Sequence, residues 1–235
     1  MNVLLTGAGS GIGYQCALAL CNFEVENLVL LSRNRGRLEK LKKECVAVNN
    51  RVNIHLLDFD LNEIVKSPQL LLNKMPFDKL DIVINNAGYL NNASFLEAKP
   101  EEIIKMFETN ALSPFRLVRI LFGLLNKTTP SHVVNIGSMG GVQGSAKFSG
   151  LSYYSASKAA LACLTECVAT ELADTNISIN CLALGAVDTE MLNHAFPGYK
   201  APVSAKEMGE YIAGFALTGN KFYNGKVIPV SLSTP

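Results

Sequence analysis

The sequence has no tryptophan, only three histidines and almost no net charge. Its 21 Lys and Arg residues are balanced by 20 Asp and Glu residues, which gives a net charge of +1. A balanced chain has no electrostatic reason to bind nucleic acid or an anionic membrane surface. We therefore expect a small-molecule partner, and neither nucleic acid nor membrane.

Cysteine spacing typical of a metal or redox site is also missing. The chain contains no C-x-x-C pair, and most of its cysteines fall in apolar segments. Cys163 and Cys167 would share a helix face, but no nearby histidine or third cysteine completes a metal shell. We expect reduced thiols, largely in the core, and no metal site. The six cysteines are Cys16, Cys21, Cys45, Cys163, Cys167 and Cys181.

Long apolar runs are absent too, so no segment has the length needed to cross a bilayer. The first residues, MNVLLTG, have the pattern of a strand and a turn. They lack the basic and apolar regions of a secretory signal. A cytoplasmic location is therefore expected.

The sequence does have an alternation of short apolar segments and longer helical patterns, in a chain that is 49% hydrophobic. The short segments are apolar on both faces, as in a parallel sheet covered by helices on each side. The alternation predicts one α/β domain, residues 1–235, with a Rossmann-type doubly wound parallel sheet of about seven strands and helices on both faces. Strands are predicted at 2–6, 27–31, 51–57, 81–85, 132–137, 177–184 and 226–230, and helices at about 11–22, 35–48, 60–73, 100–126, 153–174 and 204–217.

A glycine-rich loop, TGAGSGIG, follows the first predicted strand at residues 6–13. The spacing G-x-G-x-x-G does not occur in it, whereas Gly7, Gly11 and Gly13 fit G-x-x-x-G-x-G. Glycines between a strand and a helix let the backbone turn tightly and approach a pyrophosphate at the helix N-terminus. A plain glycine-rich turn is the alternative, so this motif needs supporting context.

The end of the second predicted strand, Leu31-Ser32-Arg33-Asn34, carries no acidic residue. An acid at this place binds the ribose of NAD in dinucleotide folds. Ser32 and Arg33 instead offer a hydroxyl and a charge-assisted hydrogen bond to a 2′-phosphate. The sequence therefore favours NADP(H) over NAD(H). Arg35 and Arg37 are either further contacts or part of a solvated helix face.

Four motifs follow one another in the chain: the glycine loop, NNAG at 85–88, Ser138, and YSASK at 154–158. With these motifs in this order, nearly the whole chain resembles the short-chain dehydrogenase/reductase family. The resemblance implies a catalytic tetrad formed by Asn110, Ser138, Tyr154 and Lys158. It also implies cofactor contacts, among them an acid at the adenine and a threonine at the nicotinamide: Gly7, Ser10, Gly11, Ile12, Gly13, Ser32, Arg33, Asp58, Asn85, Ala87, Gly88, Lys158, Gly185, Val187 and Thr189.

Several of these residues have ordinary structural alternatives. Asp58 could cap the next helix, although Asp60 could do the same and Asp58 is better placed at the strand end. Asn110 could cap or bend its helix, and Ser138 could be a turn residue. The motifs taken together favour the functional interpretation.

Two adjacent tyrosines precede the lysine in SYYSASK. Residues i and i+4 share a helix face, so Tyr154 and Lys158 can face one cofactor, whereas Tyr153 points about 140° away. Tyr154 is therefore the predicted proton donor to a carbonyl, and Tyr153 a packing or pocket-wall residue. The Lys158 ammonium is expected to lower the Tyr154 pKa from about 10, and Ser138 to orient the substrate oxygen.

The chain departs from the family pattern in three places. Leu184-Gly185 replaces the usual Pro-Gly, which predicts a looser turn before the nicotinamide loop. The segment 139–153 is longer than usual and rich in Gly and Ser, so it should bulge near the pocket mouth. The last residues, VIPVSLSTP, lack the common Gly-rich end, which leaves one family dimer contact open.

A short substrate lid is predicted near residues 190–203, with His194 on its surface. The lid and the segment 139–153 offer mainly apolar contacts, which favours a modest apolar carbonyl compound or an acyl chain. The residues concerned are Met139, Val142, Phe148, Leu151, Met191, Leu192, Ala195, Phe196 and Tyr199.

These patterns predict an oxidoreductase that transfers a hydride between NADP(H) and a carbonyl or hydroxyl substrate, as a ketone or 3-oxoacyl reductase. A catalytically silent NADP-binding sensor or interaction protein on the same fold is the alternative, which the intact tetrad disfavours. An epimerase or dehydratase usually needs a longer substrate domain. The resemblance implies a homodimer or homotetramer that pairs the helices at 100–126 and 153–174 across an axis.

Overall fold

A computed structural model describes residues 1–64, 66, 68–125, 127 and 129–232. Its main sheet has seven strands in the order β3-β2-β1-β4-β5-β6-β9, and every neighbouring pair is parallel. The predicted doubly wound sheet is therefore confirmed. The strands are β1 Asn2–Thr6, β2 Asn27–Ser32, β3 Asn53–Asp58, β4 Ile82–Asn85, β5 Ser131–Ser138, β6 Ile177–Leu184 and β9 Val227–Val230. A separate parallel pair, β7 Val187–Asp188 and β8 Val203–Ser204, was not predicted.

Helices cover both faces of the sheet because each strand is apolar on both sides. Val3 and Leu5 pack into the core beneath α1, α2 and α8, whereas Leu4 packs into the core beneath α5 and α6. This alternation along one strand is the two-residue period of a β-strand buried on both faces. The helices are α1 Gly11–Leu20, α2 Arg35–Val48, α3 Pro68–Leu72, α4 Pro100–Phe107, α5 Ser113–Leu125, α6 Ser152–Glu171, α7 Glu190–Ala195 and α8 Ala205–Thr218.

The prediction of a single helix over 60–73 is wrong. The Asp60 side chain instead caps a short 3₁₀ turn, Leu61–Glu63, by accepting a hydrogen bond from the Asn62 amide at 2.9 Å. The α3 helix begins only at Pro68. Pro68 has no N–H to donate to an earlier carbonyl, and proline is favoured in the first turn of a helix, which agrees with a start of α3 at this residue. Positions 65 and 67 of the predicted helix lie outside the described residues.

The helix predicted over 100–126 is also divided. A π-helical turn, Glu108–Leu112, separates α4 from α5, and the Ser113 amide bonds the carbonyl of Glu108, five residues back. Pro114, four residues after Asn110, has no N–H to donate to the Asn110 carbonyl, which disfavours a regular helix there. Position 126 lies outside the described residues.

The cysteines divide into two groups. Four of them, Cys16, Cys21, Cys45 and Cys181, are buried free thiols, in agreement with the prediction. Cys163 and Cys167 instead lie on the exposed face of α6, so the expectation of core thiols is wrong for this pair. Among the helices of the described residues, none is long and apolar enough to cross a membrane.

Candidate active site

A cavity of about 1160 Å³ opens at the carboxyl ends of the sheet strands. Its wall is built from the segments that follow β1, β2, β3, β4, β5 and β6, which is where doubly wound sheets bind ligands. Most residues proposed from the sequence line it: Gly7, Ser10, Gly11, Ile12, Ser32, Arg33, Ala87, Gly88, Ser138, Tyr154, Lys158, Gly185, Val187 and Thr189. Gly13, Asp58, Asn85 and Asn110 do not belong to its lining.

The glycine loop is hydrogen-bonded to the NNAG segment beside it. The Asn86 amide donates to the carbonyls of Thr6 and Gly7 at 3.1 and 3.2 Å. Gly7 has a φ of +67°, and a Cβ there would lie 2.7 Å from the Ala87 Cα. A Cβ at Gly13 would lie 2.4 Å from the Asn86 amide nitrogen, so this glycine acts by close packing behind the wall. Gly7 is therefore favoured both by its backbone conformation and by the neighbouring segment, and Gly13 by close packing against Asn86 and the Gly7 carbonyl.

Basic residues gather at the end of the cavity that follows β2. Arg33, Arg35 and Arg37 all line it. Arg35 is paired with Glu39 at 2.7 Å and Asp58 at 3.5 Å, and Arg37 with Glu190 at 3.1 Å. Within the described part of the chain, no ion pair involves Arg33, so its guanidinium is the available cation at this end.

Asp58, the acid predicted at the adenine, lies beside the cavity rather than in its lining. Asp58 turns toward α2, where it pairs with Arg35, and is absent from the lining. Asp60 lines the cavity together with Phe59, Leu61 and Asn62. Asp58 is the last residue of β3, whereas Asp60 lies beyond the strand, where it caps the 3₁₀ turn Leu61–Glu63.

Two asparagines act behind the cavity wall. The Asn85 amide donates to the Asn135 side chain at 2.8 Å, in the buried centre of the sheet. Asn110, fully buried in the π-helical turn, accepts from the Tyr89 amide at 2.7 Å and donates to the Tyr89 carbonyl and the Ser157 hydroxyl at 2.8 and 3.0 Å. Asn110 thus joins three elements: the segment after β4, the π-helical turn and α6.

The polar group of the cavity centre consists of Ser138, Tyr154 and Lys158. Ser138 lies close enough to Tyr154 to lower the pKa of its phenol, and the Lys158 ammonium lies 6.0 Å from the Tyr154 ring centroid. That ammonium donates to the Ile136 carbonyl at 2.7 Å and is itself buried. A phenol, a hydroxyl and an ammonium therefore meet at one place in the cavity wall. Such a group can hold a carbonyl oxygen and transfer a proton to it.

The expected effect of Lys158 on Tyr154 is not found in the protein alone. Burial raises the pKa of Tyr154, and the nearby Ser138 hydroxyl lowers it only in part. Burial also lowers the pKa of Lys158 to about 8. Desolvation is therefore the main influence on both groups, and Tyr154 is a neutral phenol that can give up a proton.

Tyr153 lies outside the cavity lining. Its ring stacks on that of Phe95, with centroids 5.7 Å apart and an angle of 14° between the planes. The prediction that Tyr153 is a packing residue agrees with this position, and the i, i+4 argument explains why only Tyr154 faces the cavity with Lys158.

The turn after β6 is held by neighbours rather than by a proline. The Gly185 amide donates to the Val230 carbonyl at 2.9 Å, and a Cβ at Gly185 would lie 2.4 Å from the Ser231 hydroxyl oxygen. Leu184 is buried in the core beneath α1. The looseness predicted from the missing proline is therefore countered by β9.

The predicted lid contains the short α7 helix, and its ends are tied to other loops. Thr189 caps α7 by accepting from the Leu192 amide at 3.2 Å. Of the apolar residues proposed for the pocket, Ala195 and Val142 do not line the cavity, whereas Met139, Phe148, Leu151, Met191, Leu192, Phe196 and Tyr199 do. His194 is exposed and outside the lining.

Fold and cavity together are those of a Rossmann-type protein built to hold a nucleotide across the carboxyl edge of its sheet. The sequence profile of the short chain dehydrogenase family matches residues 1–200. The protein belongs to this family, and it is an oxidoreductase that acts on CH–OH or C=O groups with a nicotinamide cofactor.

Curated relatives are similar over most of their length. An NADP-dependent 3-hydroxy acid dehydrogenase of Schizosaccharomyces pombe is 28% identical over 229 residues, which cover 92% of this chain and 86% of the relative. A 3-oxoacyl-[acyl-carrier-protein] reductase of Thermotoga maritima is 28% identical over 205 residues, covering 87% of this chain and 78% of the relative.

Solved structures share the fold at lower identity. Levodione reductase superposes with a TM-score of 0.84 at 22% identity, over 97% of this chain and 95% of that chain. The RhlG/NADP complex of Pseudomonas aeruginosa gives a TM-score of 0.84 at 24% identity, over 97% and 94%. At these identities the likeness establishes the architecture.

Proposed function

We propose that the protein is an NADP(H)-dependent carbonyl reductase in which Tyr154 is the proton donor. The observation that carries the proposal is the meeting of the Tyr154 phenol, the Ser138 hydroxyl and the Lys158 ammonium at the wall of the one cavity that also holds the glycine loop. Hydride transfer to a carbonyl carbon leaves negative charge on the oxygen, so a proton donor has to lie beside that oxygen.

The donor set at the other end of the cavity fits a phosphorylated ribose. Ser32 and Arg33 line the wall after β2, and no acid takes the place where NAD enzymes bind the ribose hydroxyls. Arg33 carries a charge that no acidic side chain of the described residues neutralises in an ion pair. The name of the S. pombe relative, an NADP-dependent enzyme, agrees with this choice. Asp60, rather than Asp58, is proposed as the acid at the adenine.

The bound nicotinamide supplies the hydride. Ser138 donates a hydrogen bond to the carbonyl oxygen and orients it, and Tyr154 gives its phenolic proton to that oxygen as the C–H bond forms. Lys158 holds a positive charge beside the phenolate that remains. Asn110 is a positioning residue, since its side chain ties the segment after β4 to α6.

Reduction is the proposed direction, because a tyrosine with a pKa of about 10 or above is a protonated phenol near neutral pH and can act as the proton donor. The balanced reaction consumes one NADPH, one proton and the carbonyl compound. It yields NADP⁺ and the alcohol.

NADPH oxidation across a panel of ketones, quinones and acyl thioesters tests the proposal. Tyr154→Phe should lower kcat by at least about 100-fold, because general acid catalysis contributes roughly 10²–10⁴. The neighbouring phenol provides a matched control: Tyr153→Phe removes a hydroxyl outside the cavity and should stay near wild type. Turnover that survives in Tyr154→Phe would exclude this residue as the acid. Binding of NADPH with no turnover on any substrate would favour a sensor.

We also propose a homo-oligomer. Ile104 on α4 and Leu112 in the π-helical turn are 62% and 40% exposed, which suits a contact with a second copy. Light scattering on the purified protein gives the mass directly, and a monomer at micromolar concentration would contradict the proposal.

A further inference from the structure

The short lid helix α7 is joined to a different part of the cavity surroundings at each of its ends. At its first residue, Glu190 pairs with Arg37, so this end lies at the arginine-rich part of the wall. At its last residue, the Ala195 carbonyl accepts a hydrogen bond from the Asn92 amide at 2.7 Å. Asn92 in turn packs against Gly150, where a Cβ would lie 1.8 Å from the Asn92 side-chain oxygen. The lid therefore ends beside the segment that leads into α6 and Tyr154.

The segment that leads into α6 and the lid line the cavity mainly with apolar side chains. The segment before α6 contributes Met139, Ala146, Phe148 and Leu151, and the lid contributes Leu192 and Phe196. Lys147 stands within this segment, but it is no cavity-lining residue. Its ammonium instead donates to the Gly140 and Val142 carbonyls and the Ser145 hydroxyl at 2.9, 2.7 and 2.7 Å.

Apart from Lys158, the charged side chains that line the cavity in the described structure belong to other parts of its wall. Arg33, Arg35, Arg37, Asp60 and Glu190 surround the arginine-rich end. Lys105, on α4, lies 4.0 Å above the Tyr89 ring and borders a second depression next to Asn62, on the β3 side.

Lys158 is thus the one cation of the lining beside Tyr154 in the described chain, and it is already engaged. Its Nζ is buried and donates to the Ile136 carbonyl at 2.7 Å. A substrate carboxylate placed near the reacting carbonyl would lose its hydration and find no free cation to replace it.

We propose that the site accepts uncharged carbonyl compounds and discriminates against those with a carboxylate close to the reacting carbonyl. This proposal rests on the reductase function proposed above and specifies its substrate class. An ester or ketone buries apolar surface against the Met, Leu and Phe side chains of the wall. A 3-oxo acid of the same length leaves a charge unpaired in the same place.

A matched pair of substrates tests the proposal: methyl 3-oxohexanoate and 3-oxohexanoate, which differ in a methyl ester against a carboxylate. With NADPH, kcat/KM for the ester should exceed that for the acid by about 100-fold or more, given the cost of an unpaired buried charge. Equal values, or a preference for the acid, would overturn the proposal.

A cation introduced into the wall should rescue the acid. Met191 lines the cavity and is 42% exposed, so Met191→Lys is a change that the fold can tolerate. We expect it to narrow the ester-to-acid ratio by about tenfold or more, equivalent to one charge-assisted hydrogen bond. Leu70→Lys adds the same charge on exposed α3, outside the cavity, and should leave the ratio unchanged. An unchanged ratio in Met191→Lys would count against the proposal.

Lys105→Met tests whether Lys105 supplies a positive charge to the substrate carboxylate. If Lys105 reached the substrate, its removal would lower kcat/KM for the acid alone, and the wall would not be uncharged. The expected result is an unchanged ratio. If the reductase proposal itself is wrong, the result is different. NADPH binding would still be detected by its fluorescence, but neither the ester nor the acid would be reduced.

Discussion

His132 links the stability of this protein to pH. Its ring is buried in β5, where Nδ1 lies 2.9 Å from the Ala216 carbonyl and Nε2 lies 3.1 Å from the Asn180 amide nitrogen. Nδ1 therefore donates and Nε2 accepts, which is the neutral form of the ring. A proton on Nε2 would face the Asn180 N–H donors, and burial lowers the pKa of His132 to about 4.

The magnitude follows from proton linkage. The unfolded chain binds a proton at His132 near pH 6.5, whereas the folded chain binds it only near pH 4. The contribution to stability is therefore complete above pH 6.5 and is lost as the pH falls toward 4. The full loss amounts to about 3 kcal/mol, of which about 2 kcal/mol is lost by pH 5.

Urea unfolding followed by circular dichroism measures this effect, since the chain has no tryptophan for fluorescence. His132→Gln should be less stable than wild type at pH 8, because buried hydrogen bonds are disturbed. Between pH 8 and pH 5 the difference in free energy of unfolding between wild type and His132→Gln should shrink by about 2 kcal/mol, since only wild type carries the titrating ring. His194→Gln, on the exposed lid, is the control. If the His132→Gln and wild-type stabilities fell in parallel with pH, the assignment of a neutral buried ring would be refuted.

Three further predictions concern the cavity. Burial lowers the pKa of Lys158 to about 8, so its charge is lost as the pH rises, and kcat/KM for NADPH should fall above about pH 8; a profile that stays flat to pH 10 would contradict this. Asn92→Ala removes the bond to the Ala195 carbonyl and should raise KM for the carbonyl substrate by about fivefold, the equivalent of one hydrogen bond. KM for NADPH should stay nearly unchanged. An increase in the NADPH KM alone would contradict the placement of this lid contact beside the substrate. Arg33→Ala should raise KM for NADPH by about tenfold or more and leave that for NADH nearly unchanged, whereas Arg51→Ala, in an exposed turn, should alter neither. An unchanged NADPH preference in Arg33→Ala would argue against the phosphate contact.

Local pattern was enough to predict much of the site. The glycine loop and the strand before it are neighbours in sequence, and so are Tyr154 and Lys158. Their relation depends on helix and turn geometry within a few residues, which the sequence states directly. Strands that are apolar on both faces predicted the parallel sheet for the same reason.

Other features required contacts between distant segments. Whether Asp58 or Asp60 faces the cavity depends on where β3 ends and on Arg35, 23 residues away, which binds Asp58. Pro114, four residues after Asn110, is the sequence feature that indicates the π-helical turn. Arg37 and Glu190 pair across 153 residues, and no local pattern predicts such a contact.

The sequence alone determined the family, the fold and the pairing of Tyr154 with Lys158, because periodicity and short motifs act over one or two turns of backbone. The tertiary structure decided which side chains reach the cavity and how they titrate. The pKa of Tyr154 is raised because burial by the surrounding chain outweighs its polar contacts. Burial is a property of the assembled core, so only the fold could show that the pKa of Tyr154 is raised rather than lowered.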